Sequence, residues 1–235
     1  MEDATLFPMR LILDRHRRLG DFTKTTVSYD TSIRKEEAAR EIVLARQGRF
    51  LDIGAGDGDL MYLLGIEANF ETEPGMLDRN RAEFDRRYSY HALDLEPRAG
   101  ATAGDICSDN LLDELDDWAA SFDVVYSNNV FEHLRRPWVA ARNVVGLLKP
   151  GGIAITVTQF AIRYHAVPHD YFRYSHEGIA ALFEDAGAKV IRCGYDLTGR
   201  RNNWQGRGTA DDIVPVDEFG AWRENWFVFC AAERP

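Results

Sequence analysis

Residues 50–58 have the sequence Phe50-Leu51-Asp52-Ile53-Gly54-Ala55-Gly56-Asp57-Gly58, and this stretch decides the fold. Its apolar start predicts a strand over Arg49–Ile53, and a helix is predicted to begin within Asp57–Leu64. Glycines between a strand and a helix allow a sharp turn and a close approach of a ligand to the backbone. The stretch therefore predicts a strand–turn–helix unit with a cofactor at the turn.

The charge of this turn distinguishes between two kinds of cofactor. A glycine triplet alone is a weak signal, because dinucleotide-binding dehydrogenases have a similar one. Asp52 and Asp57 make this loop acidic. An acidic loop repels a pyrophosphate but attracts a cationic sulfonium and an ammonium group. The loop therefore favours S-adenosylmethionine over NAD.

The same stretch resembles the first motif of the class I S-adenosylmethionine-dependent methyltransferases. The resemblance extends from Phe50 to Thr158, and two late strands add to it. It implies an α/β fold: a Rossmann-like, mostly parallel seven-stranded sheet in the order 3-2-1-4-5-7-6, with helices on both faces. It also implies that the methionine end of the cofactor is lined by Asp52, Gly54, Gly56 and Asp57.

Outside this stretch, alternating strand and helix patterns predict a mostly parallel sheet covered on both faces. The other predicted strands are Tyr88–Leu93, Ala101–Gly104, Phe122–Tyr126, Ile153–Thr158, Ala188–Tyr195 and Trp226–Ala232. The predicted helices are Ser32–Gln47, Asn110–Ala119, Pro137–Leu148 and Ser175–Ala186. Thr31 or Ser32 is the predicted cap of the first helix, and a turn is predicted at Lys149–Gly152. No helix pattern separates the last two strands, which predicts an antiparallel hairpin and argues against a dehydrogenase sheet. We divide the chain into an N-terminal helical lid segment (1–48) and a methyltransferase domain (49–235) with a substrate-side insertion at 198–224.

The resemblance implies two further acidic contacts to the cofactor. An acid after the second strand holds the ribose hydroxyls, and Asp94 is the best match, although Glu71 or Glu73 lies nearer the usual spacing. Asp94 would otherwise be a turn residue, and its distance from the glycines requires an insertion within Leu64–Arg87. At the next strand, Asp105 and Ile106 are expected at the adenine, and Asn128 is expected at the cofactor after the fourth strand.

Candidate catalytic residues follow the fourth and fifth strands, at the sheet edge where ligands bind. Glu132 and His133 resemble part of a Glu-x-x-Glu-His metal motif in some O-methyltransferases, with Asn129 in place of the first Glu and His169 as the distant partner. A magnesium ion held by these three ligands would lower the pKa of an acceptor hydroxyl. His169 or His133 is the candidate base. Alternatively, His133 only orients the loop, and His165 is a weaker choice of distant ligand.

The acceptor is predicted from two polar, aromatic segments. Residues 168–175 (Pro-His-Asp-Tyr-Phe-Arg-Tyr-Ser) resemble a segment of bacterial saccharide methyltransferases, and 198–224 contains Trp beside Arg and Asn. Arg far outnumbers Lys, which is typical of a GC-rich genome and suggests an actinobacterial enzyme, for example of methylmannose polysaccharide synthesis. Alternatively, the aromatic residues of 168–175 only pack a lid, and 198–224 is a solvated loop or a homodimer contact. The alternative functions are methylation of a small amine or phenol, and an inactive cofactor-binding regulatory subunit.

The overall composition excludes several classes of partner. The formal net charge of -10 disfavours a nucleic-acid duplex and an anionic membrane surface. The three cysteines give no zinc or disulfide pattern, and the start of the chain lacks the pattern of a signal peptide. No apolar run approaches the ~20 residues that span a bilayer. We therefore expect a cytoplasmic protein.

Overall fold

The architecture comes from a computed structural model, which describes residues 33–55, 75–96, 100–162, 164, 166, 168–196 and 226–235. The strands are β1 Gly48–Ile53, β2 Tyr88–Asp94, β3 Thr102–Ala103, β4 Phe122–Asn128, β5 Leu148–Ala161, β6 Lys189–Asp196 and β7 Trp226–Glu233. The helices of the described part are α1 Lys35–Leu44, α2 Met76–Arg87, α3 Leu111–Glu114, α4 Pro137–Leu147 and α5 His176–Asp185. Short 3-10 turns cover Asp116–Trp118 and Phe131–His133.

The strands form one seven-stranded sheet in the order β3-β2-β1-β4-β5-β7-β6. Neighbouring strands from β3 to β5 are parallel, and β7 runs antiparallel to both β5 and β6. This confirms the predicted strand order and the predicted late hairpin. No helix of the described part is long and apolar enough to cross a membrane.

An aromatic cluster fixes the position of β1, whose end carries the glycine turn. Phe50 is fully buried and meets Phe84 of α2 edge to face, with ring centroids 5.1 Å apart. It also contacts Tyr88 at 5.5 Å and Tyr90 at 6.4 Å, both on β2. Burying each large apolar side chain contributes about 1.5–3 kcal/mol. The cluster therefore holds β1, β2 and α2 together beneath the site.

Helix α1 packs on the sheet and is capped by a distant residue. Its Ala38, Ala39 and Val43 are buried in the core. The N-cap is Arg34, which makes no side-chain cap, and the Lys35 N–H donates instead to Oδ2 of Asp196 at 2.9 Å. The predicted cap at Thr31 or Ser32 is therefore wrong, because a carboxylate from the end of β6 takes that role.

Other elements also differ from the prediction. Helix α2 lies where only an insertion was predicted, and Asn110–Ala119 is the short helix α3 followed by a 3-10 turn rather than one helix. The predicted turn at Lys149–Gly152 is a bulge within β5, because Leu148 pairs with Phe122 whereas Ile153 already pairs with Val124. Residues 1–32 of the predicted lid segment (1–48) and the predicted insertion 198–224 lie outside the described residues.

Candidate functional site

Three neighbouring strands, β2, β1 and β4, end around the glycine turn. Ile53 lies in register with Leu93 of β2 and with Ser127 of β4, so Asp94 and Asn128 follow on either side of Gly54. Gly54 has a φ of 67°, and a Cβ there would lie 2.5 Å from Cγ2 of Val130. A side chain at this position would therefore be strained by the backbone and crowded by Val130. Gly56 and Asp57 lie outside the described residues.

Asp52 is a buried carboxyl group at the carboxyl end of β1. Its side chain is 6% exposed, and the Tyr90 hydroxyl donates a hydrogen bond of 3.2 Å to its Oδ2. Burial raises the pKa of Asp52 to about 7, the Tyr90 hydrogen bond opposes this, and the charge of Asp94 adds to it. A buried carboxyl with a raised pKa favours a cationic partner.

The acidic residues predicted at the ribose and adenine lie on neighbouring strand ends. Asp94 ends β2, its Oδ1 accepts from the Glu96 N–H at 3.2 Å, and its carbonyl accepts from the Gly104 N–H at 3.0 Å. Asp105 is exposed, and its Oδ1 accepts from the Cys107 N–H at 2.8 Å. Both carboxylates thus make local turn contacts, and their roles at a cofactor stay predictions. Glu71 and Glu73 lie outside the described residues.

Near the ends of β4 and β5, Asn129 is paired with Gln159, a residue that the sequence analysis missed. Exposed Asn129 has a φ of 56°, rare for a residue with a side chain, and its Oδ1 accepts from Nε2 of Gln159 at 2.7 Å. Gln159 is 3% exposed, and its Oε1 is buried with no partner among the described residues. Gln159 follows an apolar strand in the sequence, and this change to a polar residue was the sign of a functional position that the sequence offered.

Glu132 lies in the turn after β4 and is fully inaccessible to solvent. Its Oε2 accepts from the Thr158 hydroxyl at 2.8 Å, and its Oε1 lies 4.0 Å from Nε2 of His133. Nδ1 of His133 lies 2.5 Å from the carbonyl oxygen of His169. Because a carbonyl only accepts, this nitrogen carries the hydrogen and donates it. These contacts support the alternative in which His133 orients the loop.

The donor groups predicted for magnesium do not fit a metal ion. Oε2 of Glu132 accepts from Thr158, whereas its Oε1 is buried with no hydrogen-bond partner among the described residues. His169 presents its backbone carbonyl to His133, and its own ring packs on Tyr171, with centroids 5.6 Å apart. Across the described residues, no three His, Cys, Asp or Glu side chains are placed to hold a metal. The predicted magnesium site is therefore not supported. His165 lies outside the described part of the chain.

Residues 168–174 are held by hydrogen bonds to the turn that follows β4. The alternative prediction for this segment was a lid packed by its aromatic residues. Arg173 makes two hydrogen bonds to Asp170, at 2.5 and 2.7 Å, and these raise the pKa of Arg173. The backbone N–H of Tyr171 donates to the carbonyl of Glu132 at 2.8 Å. The Tyr174 hydroxyl donates to the carbonyl of Phe131 at 3.0 Å. Tyr174 is thus buried, whereas Tyr171 is 45% exposed at the sheet edge.

The comparison with protein families gives a match in the region that carries this site. Residues 51–154 match the profile of a family described as a methyltransferase domain. This part of the chain is therefore similar to that family. Its matched range includes the glycine turn, Asp94, Asp105 and the turn at Asn129–His133. No curated protein matches the chain in sequence.

Solved structures show that the chain shares its fold with known proteins. A candidate methyltransferase of Bacillus halodurans has a TM-score of 0.52 and 13% identity, with 84% of this chain and 98% of that chain covered. The 1,6-didemethyltoxoflavin-N1-methyltransferase of Burkholderia thailandensis, solved with S-adenosylhomocysteine, has a TM-score of 0.51 and 15% identity, covering 99% and 89%. The [4+2]-cyclase SpnF has a TM-score of 0.50 and 15% identity, covering 86% and 81%. At such identities the likeness concerns the fold.

Proposed function

We propose that the chain is an S-adenosylmethionine-dependent O-methyltransferase that acts on a hydroxyl of a saccharide or sugar-bearing metabolite. The observation that carries the proposal is the buried Asp52 carboxyl beside the left-handed turn at Gly54. S-adenosylmethionine brings a sulfonium and an ammonium group, and the ammonium satisfies the electrostatic demand of this carboxylate. A dinucleotide would instead place a pyrophosphate against it.

The cofactor's position follows from the strand order. In open α/β sheets a ligand lies beyond the carboxyl ends of the strands. The methionine end would lie at Asp52 and Gly54, and the ribose would lie toward Asp94, one strand farther from β4. The adenine would lie by Asp105 and Ile106, after β3. The methyl group would then point toward β4 and β5.

The groups at the ends of β4 and β5 suit a polyhydroxylated acceptor. A side-chain amide both donates and accepts hydrogen bonds, as a hydroxyl does. Asn129 is exposed there, and Oε1 of Gln159, which is buried with no partner among the described residues, is an acceptor that a ligand hydroxyl could satisfy. The partly exposed ring of Tyr171 offers an apolar surface against which a sugar face could pack.

The reaction is a single in-line displacement. The acceptor oxygen forms a bond to the methyl carbon as the carbon–sulfur bond breaks, and S-adenosylhomocysteine leaves. The hydroxyl proton passes to a base, and the exposed imidazole of His169 is the candidate. His133 is a poorer candidate, because its Nδ1 is held by the carbonyl of His169. No step is assigned to a metal.

A second candidate function is methylation of a small amine or phenol. The observation that favours it is again Oε1 of Gln159, since a buried acceptor oxygen binds an N–H as well as an O–H. An amine would be methylated as the free base, so this reaction does not need His169 to remove a proton from the acceptor before the methyl transfer. A cofactor-binding subunit without turnover is the third alternative.

An acceptor screen with a radiolabelled methyl donor tests these alternatives. Monosaccharides, methyl glycosides, small amines and phenolic acids are offered separately, and methylated product is detected by mass spectrometry. We expect product in a saccharide arm and its loss in His169→Ala, while binding of S-adenosylhomocysteine is retained. Product only in the amine or phenol arms would reject the saccharide proposal. Cofactor binding without product in any arm would favour the regulatory subunit.

A further inference from the structure

Cys193 and Cys230 lie directly opposite each other on the antiparallel strands β6 and β7. Residues paired in this way have Cα atoms about 4.5–5.5 Å apart, with both side chains on the same face of the sheet. A disulfide needs a Cα separation of roughly 4.4–6.8 Å. The two strands therefore already hold these cysteines at bridging distance.

The two thiols differ in how they meet solvent. Cys230 is 1% exposed, and a hydrogen bond with the Cys193 thiol together with burial raises the pKa of Cys230 well above its usual range. Cys193 is partly exposed, and its Sγ donates to the carbonyl of His176 at 3.3 Å. A dissolved oxidant therefore reaches Cys193 first, and Cys230 acts from within the core.

The third cysteine is placed so that it serves as a control. Cys107 follows β3, at the opposite edge of the sheet from β6. Its Sγ donates to the carbonyl of Arg136 at 3.6 Å. An intramolecular bridge from Cys107 to either of the other two would require the sheet to unfold.

We infer that Cys193 and Cys230 form a redox-active dithiol that closes to a cross-strand disulfide with a small disulfide oxidant such as oxidised glutathione. The Cys193 thiolate attacks one sulfur of the oxidant, and one reduced glutathione leaves. Cys230 loses its proton and attacks Sγ of Cys193 in the mixed disulfide, which releases the second reduced glutathione. The pair loses two electrons and two protons, and the oxidant gains both.

The bridge would lie near the ends of the two strands that residues 197–225 connect. β6 ends at Asp196 and β7 begins at Trp226, and Asp196 pairs with Phe227 only three rungs from the cysteine pair. The disulfide would therefore cross-link β6 and β7 close to the point where residues 197–225 leave and re-enter the sheet. The inference does not depend on the proposed transfer reaction, because it rests on strand pairing at the far edge of the sheet.

Thiol counting on the full chain tests the inference. The reduced protein is incubated with oxidised glutathione, quenched in acid, alkylated under denaturing conditions and mapped by mass spectrometry. We expect free thiols to fall from three to one, with Cys107 remaining free and one peptide pair joined through Cys193 and Cys230. Dithiothreitol should restore all three, and Cys107→Ser should form the same bridge.

Cys193→Ser supplies the matched control. We expect its buried Cys230 to stay reduced under the same conditions, because the accessible partner is absent. Three free thiols after oxidation of the parent chain, a glutathione adduct that persists on Cys193, or a disulfide between two chains would each overturn the inference.

Discussion

The hydroxyl of Tyr90 donates a hydrogen bond of 3.2 Å to Oδ2 of Asp52, across the β1–β2 pair. This bond stabilises the charged carboxylate, whereas burial stabilises the neutral acid, and the outcome is a pKa of about 7. The carboxyl group therefore titrates close to neutral pH. If the cofactor's ammonium group binds here, its binding depends on that titration.

Binding of S-adenosylhomocysteine is expected to strengthen as the pH rises from 6 to 8. Only ionised Asp52 attracts the ammonium group, and its ionised fraction increases through a pKa of about 7. The affinity should increase about tenfold over this range, since each pH unit below the pKa weakens binding by up to a factor of ten. Isothermal titration calorimetry at pH 6, 7 and 8 measures this. Asp52→Asn should bind weakly with no such dependence, and an equally steep pH dependence in that variant would contradict the assignment.

Tyr90→Phe should move the midpoint of this pH dependence upward. The substitution removes the hydrogen bond that lowers the pKa of Asp52, and one such bond is worth roughly 0.5–1.5 kcal/mol, or up to about one pKa unit. The matched control is Tyr88→Phe, because the Tyr88 hydroxyl donates to the carbonyl of Val43 at 2.7 Å and not to Asp52. The control should lower the free energy of unfolding and leave the midpoint in place. An unchanged midpoint in Tyr90→Phe would show that the bond does not control Asp52.

Gly54→Ala should lower the free energy of unfolding more than Gly151→Ala does. Both glycines have left-handed φ values, 67° and 77°. A Cβ at Gly151 meets nothing within 4 Å, whereas one at Gly54 lies 2.5 Å from Val130. The left-handed conformation alone costs about 1–2 kcal/mol, and the clash adds to this cost at Gly54 only. Urea denaturation measures both variants, and equal losses would mean that Val130 moves aside freely.

Magnesium is not expected to bind at Glu132 and His133. Oε2 of Glu132 holds the Thr158 hydroxyl, and Nδ1 of His133 faces the carbonyl of His169. Titration of the S-adenosylhomocysteine complex with Mg²⁺ should therefore give no saturable heat, and EDTA should leave any turnover unchanged. Saturable binding that is lost in Glu132→Gln would restore the predicted site.

Much of the fold could be predicted because the strands are short apolar segments separated by clear turns. The β4 strand Phe122–Asn128 and the late pair β6 and β7 have patterns that indicate strands without any tertiary information. Their order in the sheet was predicted from the resemblance to the class I methyltransferases and not from the strand patterns themselves.

The features that could not be predicted depend on tertiary contacts. Helix α2 (Met76–Arg87) is mostly charged, so its pattern gives little sign that Phe84 packs into the aromatic cluster. The cap of α1 comes from Asp196, far along the chain. Glu132 was predicted as a metal ligand from its motif, from which the burial of the side chain cannot be deduced. In the structure Glu132 is completely buried, and its carboxylate accepts a hydrogen bond from Thr158.

Calorimetry with two competing ligands tests the central claim most directly. If the acidic end of β1 holds the cationic amino-acid moiety of the cofactor as proposed, S-adenosylhomocysteine should bind the full chain with one-to-one stoichiometry at pH 8, and NAD should give no heat of binding. Saturable binding of NAD, with neither S-adenosylmethionine nor S-adenosylhomocysteine bound, would contradict the account.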